Sequence, residues 1–137
     1  MTHIPKPVVH LELHTKDLDG AAAFLADMFD WRREVIVRGS RSYTALELGG
    51  GFGGGGMVEC ETPTPLWVPY VEVESVAAAT RHAQGLGAAV LLEPREGPAG
   101  RRSVITSPAT GDLALWESKD YPPDESSGNP CVETARS

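Results

Sequence analysis

The chain has 137 residues, of which 41% are hydrophobic and 23% are charged, a balance typical of one globular domain. Its formal net charge is -7 and its lysines and arginines form no basic stripe, so nucleic acid is excluded as an expected partner. No apolar run approaches the roughly 20 residues of a membrane helix, and we expect no signal peptide. Because no such run is present, we also expect no membrane partner. Two cysteines make neither a disulfide framework nor a zinc site, so we expect a cytoplasmic protein.

The first half of the sequence predicts a strand, a helix and three further strands. Polar and apolar residues alternate over the six positions of the first strand, which places His10, Glu12 and His14 on one face. Asp17 offers an N-cap for the helix, because its carboxylate can accept a free backbone N–H. The predicted bounds of these five elements are 10–15, 18–29, 34–38, 43–48 and 57–61.

The second half repeats this order after the proline-containing linker 62–65, which breaks the chain. An offset of 58 residues brings Leu13 onto Val71 and Asp17 onto Ser75, and it preserves the apolar face of both helices. We interpret this as an internal duplication, which determines the order of elements twice over. The predicted bounds of the second set are 70–74, 76–86, 89–92, 103–106 and 113–117.

Two segments are expected to lack regular structure. The glycine-rich run 49–56 has no Gly-Lys-Ser/Thr ending and no helix after it, so we interpret it as a flexible connection or lid rather than a phosphate loop. The tail 119–137 has few apolar residues and is expected to be disordered. The folded part is therefore a single domain at 1–118, with module one at about 7–61 and module two at about 66–118.

Several short segments of the sequence match one known family, at 8–17, 22–24, 29–31, 67–73 and 108–111. In these segments the chain resembles the vicinal oxygen chelate superfamily, which includes glyoxalase, bleomycin-resistance and extradiol dioxygenase proteins. The resemblance implies an α+β fold in which two βαβββ modules form a curved mixed sheet with a shared cavity. The single domain would then be a glyoxalase-like domain.

The resemblance also implies where a metal would bind, because metal-dependent members place ligands on the first and last strand of each module. These positions fall on His10, Met57, Val68 and Leu115, and only His10 can ligate a metal. Glu59 is a second, weak candidate, one step from Met57, but such a step moves a side chain by about 7 Å. We therefore predict no cofactor and no tightly bound metal at the usual site. A divalent metal held in a non-standard way is the open alternative.

The candidate ligand contacts lie mostly on one face of the predicted sheet, which the resemblance turns toward the cavity. Histidines and carboxylates on this face could hold a ligand or move a proton. A tryptophan at the entrance of the second module could stack on an aromatic ligand. The alternative is a solvated or internally hydrogen-bonded sheet face. The candidates are His10, Glu12, His14, Trp67, Tyr70 and Glu72.

Three functions are compatible with this pattern. The first is a metal-independent small-molecule-binding protein of the glyoxalase/bleomycin-resistance type. The second is a lyase, isomerase or dioxygenase-like enzyme of the same superfamily, with acid–base residues in the cavity or a non-standard metal site. The third is a dimerisation module without a ligand. In each case we expect a homodimer, because a curved sheet with open edges has reason to pair.

Overall fold

The structure of the chain, a computed structural model, describes residues 3–49, 54–96 and 100–118. Within them the chain forms a strand, a helix and three strands, and then repeats that order. This is the predicted α+β fold of two βαβββ modules. The elements are β1 (Val8–Thr15), α1 (Leu18–Phe29), β2 (Arg33–Arg38), β3 (Arg41–Leu46), β4 (Gly55–Glu59), β5 (Leu66–Glu72), α2 (Val76–Gly85), β6 (Ala89–Glu96), β7 (Gly100–Ser107) and β8 (Gly111–Ser118).

The described strands form one open, mixed sheet in the order β2-β3-β4-β1-β5-β8-β7-β6. The two modules meet where β1 and β5 pair antiparallel, with His10 opposite Tyr70. Each module then pairs its first and last strands in parallel. Leu11 lies opposite Gly55 and Tyr70 lies opposite Ala114, a separation of 44 residues in both modules. The pairing therefore agrees with the 58-residue repeat and relates the modules by an approximate twofold axis near the middle of β1 and β5.

Both helices pack on one face of the sheet, which we call the helix face. Asp17 caps α1 as predicted, and Ser75, its equivalent in the repeat, caps α2; each accepts a backbone N–H from the first turn. The core under α1 includes Leu13 and Met57. The core under α2 includes Leu115. Burial of these apolar side chains is the main source of stability for both helices.

The opposite face of the sheet, which we call the cavity face, differs between the two modules. In the second module it is filled by its own side chains, which form a buried cluster. In the first module it remains concave and open. The cluster consists of Val68, Tyr70, Leu92, Val104 and Ala114, with Trp116 packed against it.

Some element bounds differ from prediction, mainly around prolines. The strand β5 begins at Leu66 and runs through Pro69, whereas the sequence predicted its start at Tyr70. A proline cannot donate to a sheet ladder and is unusual in an inner strand, so Pro69 weakens the strand signal of the residues before Tyr70. The strand β6 likewise continues past Pro94, with two register irregularities.

Three further expectations concern the chain as a whole. No helix among the described residues is both long and apolar enough to cross a membrane. The tail 119–137 and positions 50–53 of the glycine-rich run lie outside the described residues. Cys60 is disulfide-bonded, so the cysteines do not support the expected reducing compartment.

Candidate functional site

A buried carboxylate, that of Glu12, is the centre of a hydrogen-bonded group on the cavity face. His14 Nε2 lies 2.7 Å from Glu12 Oε1, and the Tyr70 hydroxyl donates to the same oxygen over 3.0 Å. All three residues are buried. A carboxylate inside a protein needs such donors, because an unpaired buried charge is costly. We call these three residues the Glu12 network.

The strand pairing explains why these side chains meet. Alternate residues of β1 point to the same face, so His10, Glu12 and His14 form one row. Tyr70 enters from β5, where it lies opposite His10 and beside the axis that relates the modules. The sequence predicted these side chains on one face of the sheet, and the structure brings three of them into hydrogen-bonding contact. That its members contact a ligand stays a prediction.

The proton arrangement of His14 follows from its surroundings. Its Nδ1 atom is buried and has no hydrogen-bond partner among the described residues. We therefore assign the proton to Nε2, which can then donate to Glu12, and leave Nδ1 as a bare acceptor. Such an assignment makes His14 a donor that holds the Glu12 carboxylate in place.

His10 lies between the Glu12 network and the open part of the cavity face. Its ring contacts Tyr70 edge-on, with 5.0 Å between ring centroids. Its Nε2 atom lies 4.0 Å from Glu12 Oε2, and 31% of its side chain is accessible. Burial lowers the pKa of the His10 imidazole from its ordinary value of 6.5, although the Glu12 carboxylate acts in the opposite direction. His10 is therefore mostly uncharged at neutral pH.

A cavity with a volume of about 670 Å³ lies in the first module. The expected cavity was shared by both modules, but no second-module residue lines this one, because side chains fill the other half. The charged side chains that line it are two arginines and two glutamates, so their charges balance when the one histidine is neutral. Its lining residues are His10, Arg32, Arg33, Glu34, Ile36, Tyr43, Ala45, Leu46, Glu47, Leu48, Gly49, Gly54 and Gly55.

Two predicted site residues lie away from the Glu12 network. Trp67 lies opposite Leu13, hence on the helix face, where its ring approaches that of Trp31. Glu72 shares the face of Tyr70 but lies at the far end of β5, beside a separate groove of about 390 Å³. His14 and Glu72 are equivalent in the repeat. A twofold axis places equivalent residues on opposite sides, so they diverge as their distance from the axis grows.

The structure also changes the assignment of the last-strand metal positions. Met57 and Leu115 lie in the cores under the helices, whereas Gly56 and Ala114 occupy the cavity face. Neither glycine nor alanine has a metal ligand, and the fourth position is Val68. The residues present therefore do not fit the chelate of the metal-dependent members. Among the described residues there is no group of three or more His, Cys, Asp or Glu side chains that could hold a metal.

Glu59, the weak metal candidate, has a structural contact on the helix face. Its Oε1 atom accepts the backbone N–H of Leu18 at the start of α1, over 3.1 Å. Glu117, its equivalent in the repeat, accepts the N–H of Val76 at the start of α2, over 2.9 Å. Both carboxylates thus hydrogen-bond to helix N-termini on the helix face and do not line the first-module cavity.

Sequence reasoning missed the wall of the cavity opposite His10. Tyr43 and Ile36 are paired on β3 and β2, and both line the cavity. Arg32 and Arg33 lie at its rim, where they pair with Asp30 and Asp19 over 3.0 and 2.7 Å. The alternation of residues along β2 and β3 predicts which side chains share a face of the sheet. It does not predict which of the two faces is concave.

Comparisons with known proteins identify the fold. No family model and no curated protein sequence matches the chain. Among solved structures, methylmalonyl-CoA epimerase from Mycobacterium tuberculosis is 16% identical, with a TM-score of 0.58, and the match covers 82% of this chain and 88% of that one. A hypothetical protein from Bacillus halodurans is 13% identical, with a TM-score of 0.62 over 87% and 99% of the two chains.

A third similar structure is a variant of methylmalonyl-CoA epimerase from Streptomyces coelicolor in complex with 2-nitronate-propionyl-CoA. It is 14% identical, with a TM-score of 0.55, and the match covers 87% of this chain and 99% of that one. These identities are low, so the likenesses establish the shared fold and leave the activity to be argued from the site.

Proposed function

We propose, from the premise that the chain has the fold of the vicinal oxygen chelate superfamily, that it is a small-molecule-binding protein of the glyoxalase/bleomycin-resistance type. Its ligand would occupy the first-module cavity without a metal at the usual site. One observation carries this proposal: a cavity of about 670 Å³ opens beside His10, while Gly56, Val68 and Ala114 stand at the other three ligand positions. The volume suits a small organic molecule.

The cavity wall indicates the kind of ligand. Tyr43, Ile36 and Leu48 supply aromatic and aliphatic surface. The two arginines at the rim already have aspartate partners, which reduces their attraction for a free anion. A ligand without a large net charge therefore fits this wall better than a strongly anionic one. Glu72 is no longer part of the proposed site.

The test is a thermal-shift screen of small molecules, followed by calorimetric titration of the hits. We expect His10→Ala to weaken binding at least about tenfold, the scale of one lost polar contact in a desolvated site. Ile36→Trp should weaken it further, because the larger side chain fills the cavity. His82→Ala, which changes an exposed histidine on α2, is the matched control and should bind as wild type does.

Two results would contradict the proposal. Hits that bind both cavity variants as tightly as the control would show that the ligand lies elsewhere. Hits that lose affinity when a chelator is added, and regain it with a divalent metal, would show that metal independence is wrong.

An acid–base enzyme is the second candidate, favoured by the position of His10 between the cavity and Glu12. An uncharged imidazole can take a proton from a ligand, and the neighbouring carboxylate would stabilise the resulting cation. Incubating each hit in heavy water separates the two functions. Protein-dependent incorporation of deuterium that His10→Ala abolishes would establish catalysis, and its absence would favour simple binding.

We also propose that the protein acts as a homodimer. The sheet formed by the described strands leaves two edges, at β2 and β6, without a neighbouring strand among the described residues.

A further inference from the structure

A disulfide bond engages Cys60, the residue that directly follows the last strand of the first module. Its backbone N–H donates to the carbonyl oxygen of Thr15 over 2.9 Å, so Cys60 lies beside the end of β1. The chain has two cysteines, and Cys60 is disulfide-bonded. Within one chain, the only partner available to Cys60 is Cys131, which belongs to the tail 119–137.

The position of Cys60 directs its side chain to the cavity face. Glu59 contacts α1 on the helix face, and successive side chains of an extended chain alternate between faces. On the cavity face, Glu12 and His14 are only 7% and 3% exposed, although both helices pack on the opposite face. The middle of a sheet face is buried where a second layer packs on it. A segment other than the two helices is therefore needed to cover the Glu12 network.

The tail is long enough to reach Cys60 by crossing this face. The strand β8 runs antiparallel to β1, so Ser118 lies at the end of the sheet where β1 begins, whereas Cys60 lies where β1 ends. Three strand spacings and the length of β1 separate them by about 30 Å. The 13 residues from Ser118 to Cys131 can span about 43 Å. A straight path between the two ends crosses β5 near Tyr70 and β1 near Glu12.

Two arginines of the second module attract carboxylates to the start of this path. Arg102 on β7 is 4% exposed and lies opposite Trp116, two residues before β8 ends. Arg95 on β6 lies opposite Arg102. A buried guanidinium is stable only beside carboxylates or other acceptors. The tail carries three carboxylates before Cys131, those of Asp120, Asp124 and Glu125.

We propose that the tail 119–137 is a strap across the cavity face, fastened by an intramolecular disulfide between Cys60 and Cys131 and released by its reduction. The strap covers the Glu12 network and leaves the first-module cavity open, because that cavity is lined mostly by β2, β3 and the residues after β3. A dithiol reductant opens it by thiol–disulfide exchange. Each sulfur of the bond then gains one electron and one proton, and the reductant becomes a disulfide.

The first experiment maps the disulfide by mass spectrometry of unreduced peptides. The full-length protein is equilibrated with oxidised glutathione, which accepts the two electrons and is itself reduced to two thiols. We expect one cross-linked peptide pair that contains Cys60 and Cys131, in a protein with the mass of a single chain on a denaturing gel without reductant. Cysteines that link two copies, that each carry glutathione or that stay free would overturn the proposal.

The second experiment measures access to His14 with diethyl pyrocarbonate, which modifies uncharged imidazoles. We expect little modification in the disulfide form. After reduction and alkylation of the thiols, modification should be at least about tenfold faster, because release of the strap opens this region locally. Cys131→Ser should react in the same way without any reductant. His82, which is exposed on α2, is the internal control and should react equally in every form.

Two further variants test the strap itself. Ser127→Ala, which keeps both cysteines, is the matched control and should protect His14 as wild type does. A double variant that neutralises Asp124 and Glu125, D124N with E125Q, should increase the modification of His14 while the disulfide remains, because the attraction to the arginines is weaker. Unchanged protection in the double variant would overturn the path of the strap over the arginines.

Equal modification of His14 in the oxidised and reduced wild type would overturn the strap, and so would full protection in Cys131→Ser. The wild-type comparison involves no substitution, so it decides the matter even if a variant folds poorly. The strap requires no ligand, and its failure would leave the proposed function to be decided by its own screen.

Discussion

At the scale of single residues, the site depends on how far neighbouring groups compensate the burial of each ionisable side chain. Glu12 is buried, and two neighbours donate to one of its oxygens. His10 has fewer compensating contacts, and burial lowers its pKa. The same arrangement that keeps His10 uncharged for contact with a ligand therefore makes the fold sensitive to acid.

We predict that His10 reduces the stability of the protein at mildly acidic pH. Its folded-state pKa lies below 6.5, so the unfolded chain takes up this proton first as the pH falls. Stability therefore falls as the pH drops from 6.5 toward the folded-state pKa, and this loss is complete below it. Urea unfolding at neutral and mildly acidic pH should show a smaller decrease for His10→Phe than for wild type.

The matched control for this measurement is His82→Phe, which should keep the wild-type dependence on pH. The groups that face His10 are Glu12, Tyr70 and, one step further along β1, His14. They remain in both variants, so their titration cancels in the comparison. An unchanged pH dependence in His10→Phe would contradict the prediction.

At the scale of elements, the repeat preserves a contact between the last strand and the helix of each module. Glu59 is the last residue of β4 and Glu117 is the next-to-last residue of β8. Both lie on the helix face, and each accepts an N–H from the first residue of its helix. A carboxylate at a helix N-terminus satisfies a free donor and interacts favourably with the helix dipole. The duplication therefore preserved a structural role for these two glutamates.

We predict that Glu59→Ala lowers the free energy of unfolding by about 1 kcal/mol, the usual effect of losing an N-terminal helix cap. Ligand affinity in the cavity should not change, because Glu59 lies on the other face of the sheet. Urea unfolding and calorimetry measure the two quantities, with Glu61→Ala as the matched control. If Glu59→Ala keeps its stability but loses affinity for a ligand or a metal, Glu59 is part of the binding site and this prediction is wrong.

At the scale of the whole molecule, the two sheet edges differ in their readiness to pair. The edge strand β6 contains Pro94 and two register irregularities, features that discourage pairing with another chain. The edge strand β2 pairs regularly with β3. Its Val35 and Val37 are 60% and 66% exposed. The β2 edge is therefore the better surface for a second copy of the chain.

We predict a homodimer that forms through β2. Light scattering should give a dimer mass for wild type at micromolar concentration, and Val37→Lys should shift the equilibrium toward monomer by placing like charges at the contact. Val8→Lys, at an exposed position of β1, is the matched control and should remain dimeric. A monomeric wild type would contradict the homodimer, and a dimeric Val37→Lys would contradict its location.

The sequence by itself determined the elements, their order and the faces of the first strand. Alternation along β1 was enough to group His10, Glu12 and His14, because side-chain direction in a strand has a period of two. The repeat was enough to bring Tyr70 to Glu12, since residues near a twofold axis stay close together. Helix caps were readable for a similar reason, as a cap depends on residues only a few positions apart.

Only the tertiary structure decided which residues of the last strands face the cavity. A slip of one residue in register turns every side chain to the opposite face, so Gly56 rather than Met57 borders His10. It also decided that the cavity lies in one module, since packing fills the equivalent space in the other. Local patterns determine direction along a strand, whereas strand register and packing depend on partners far away in the sequence.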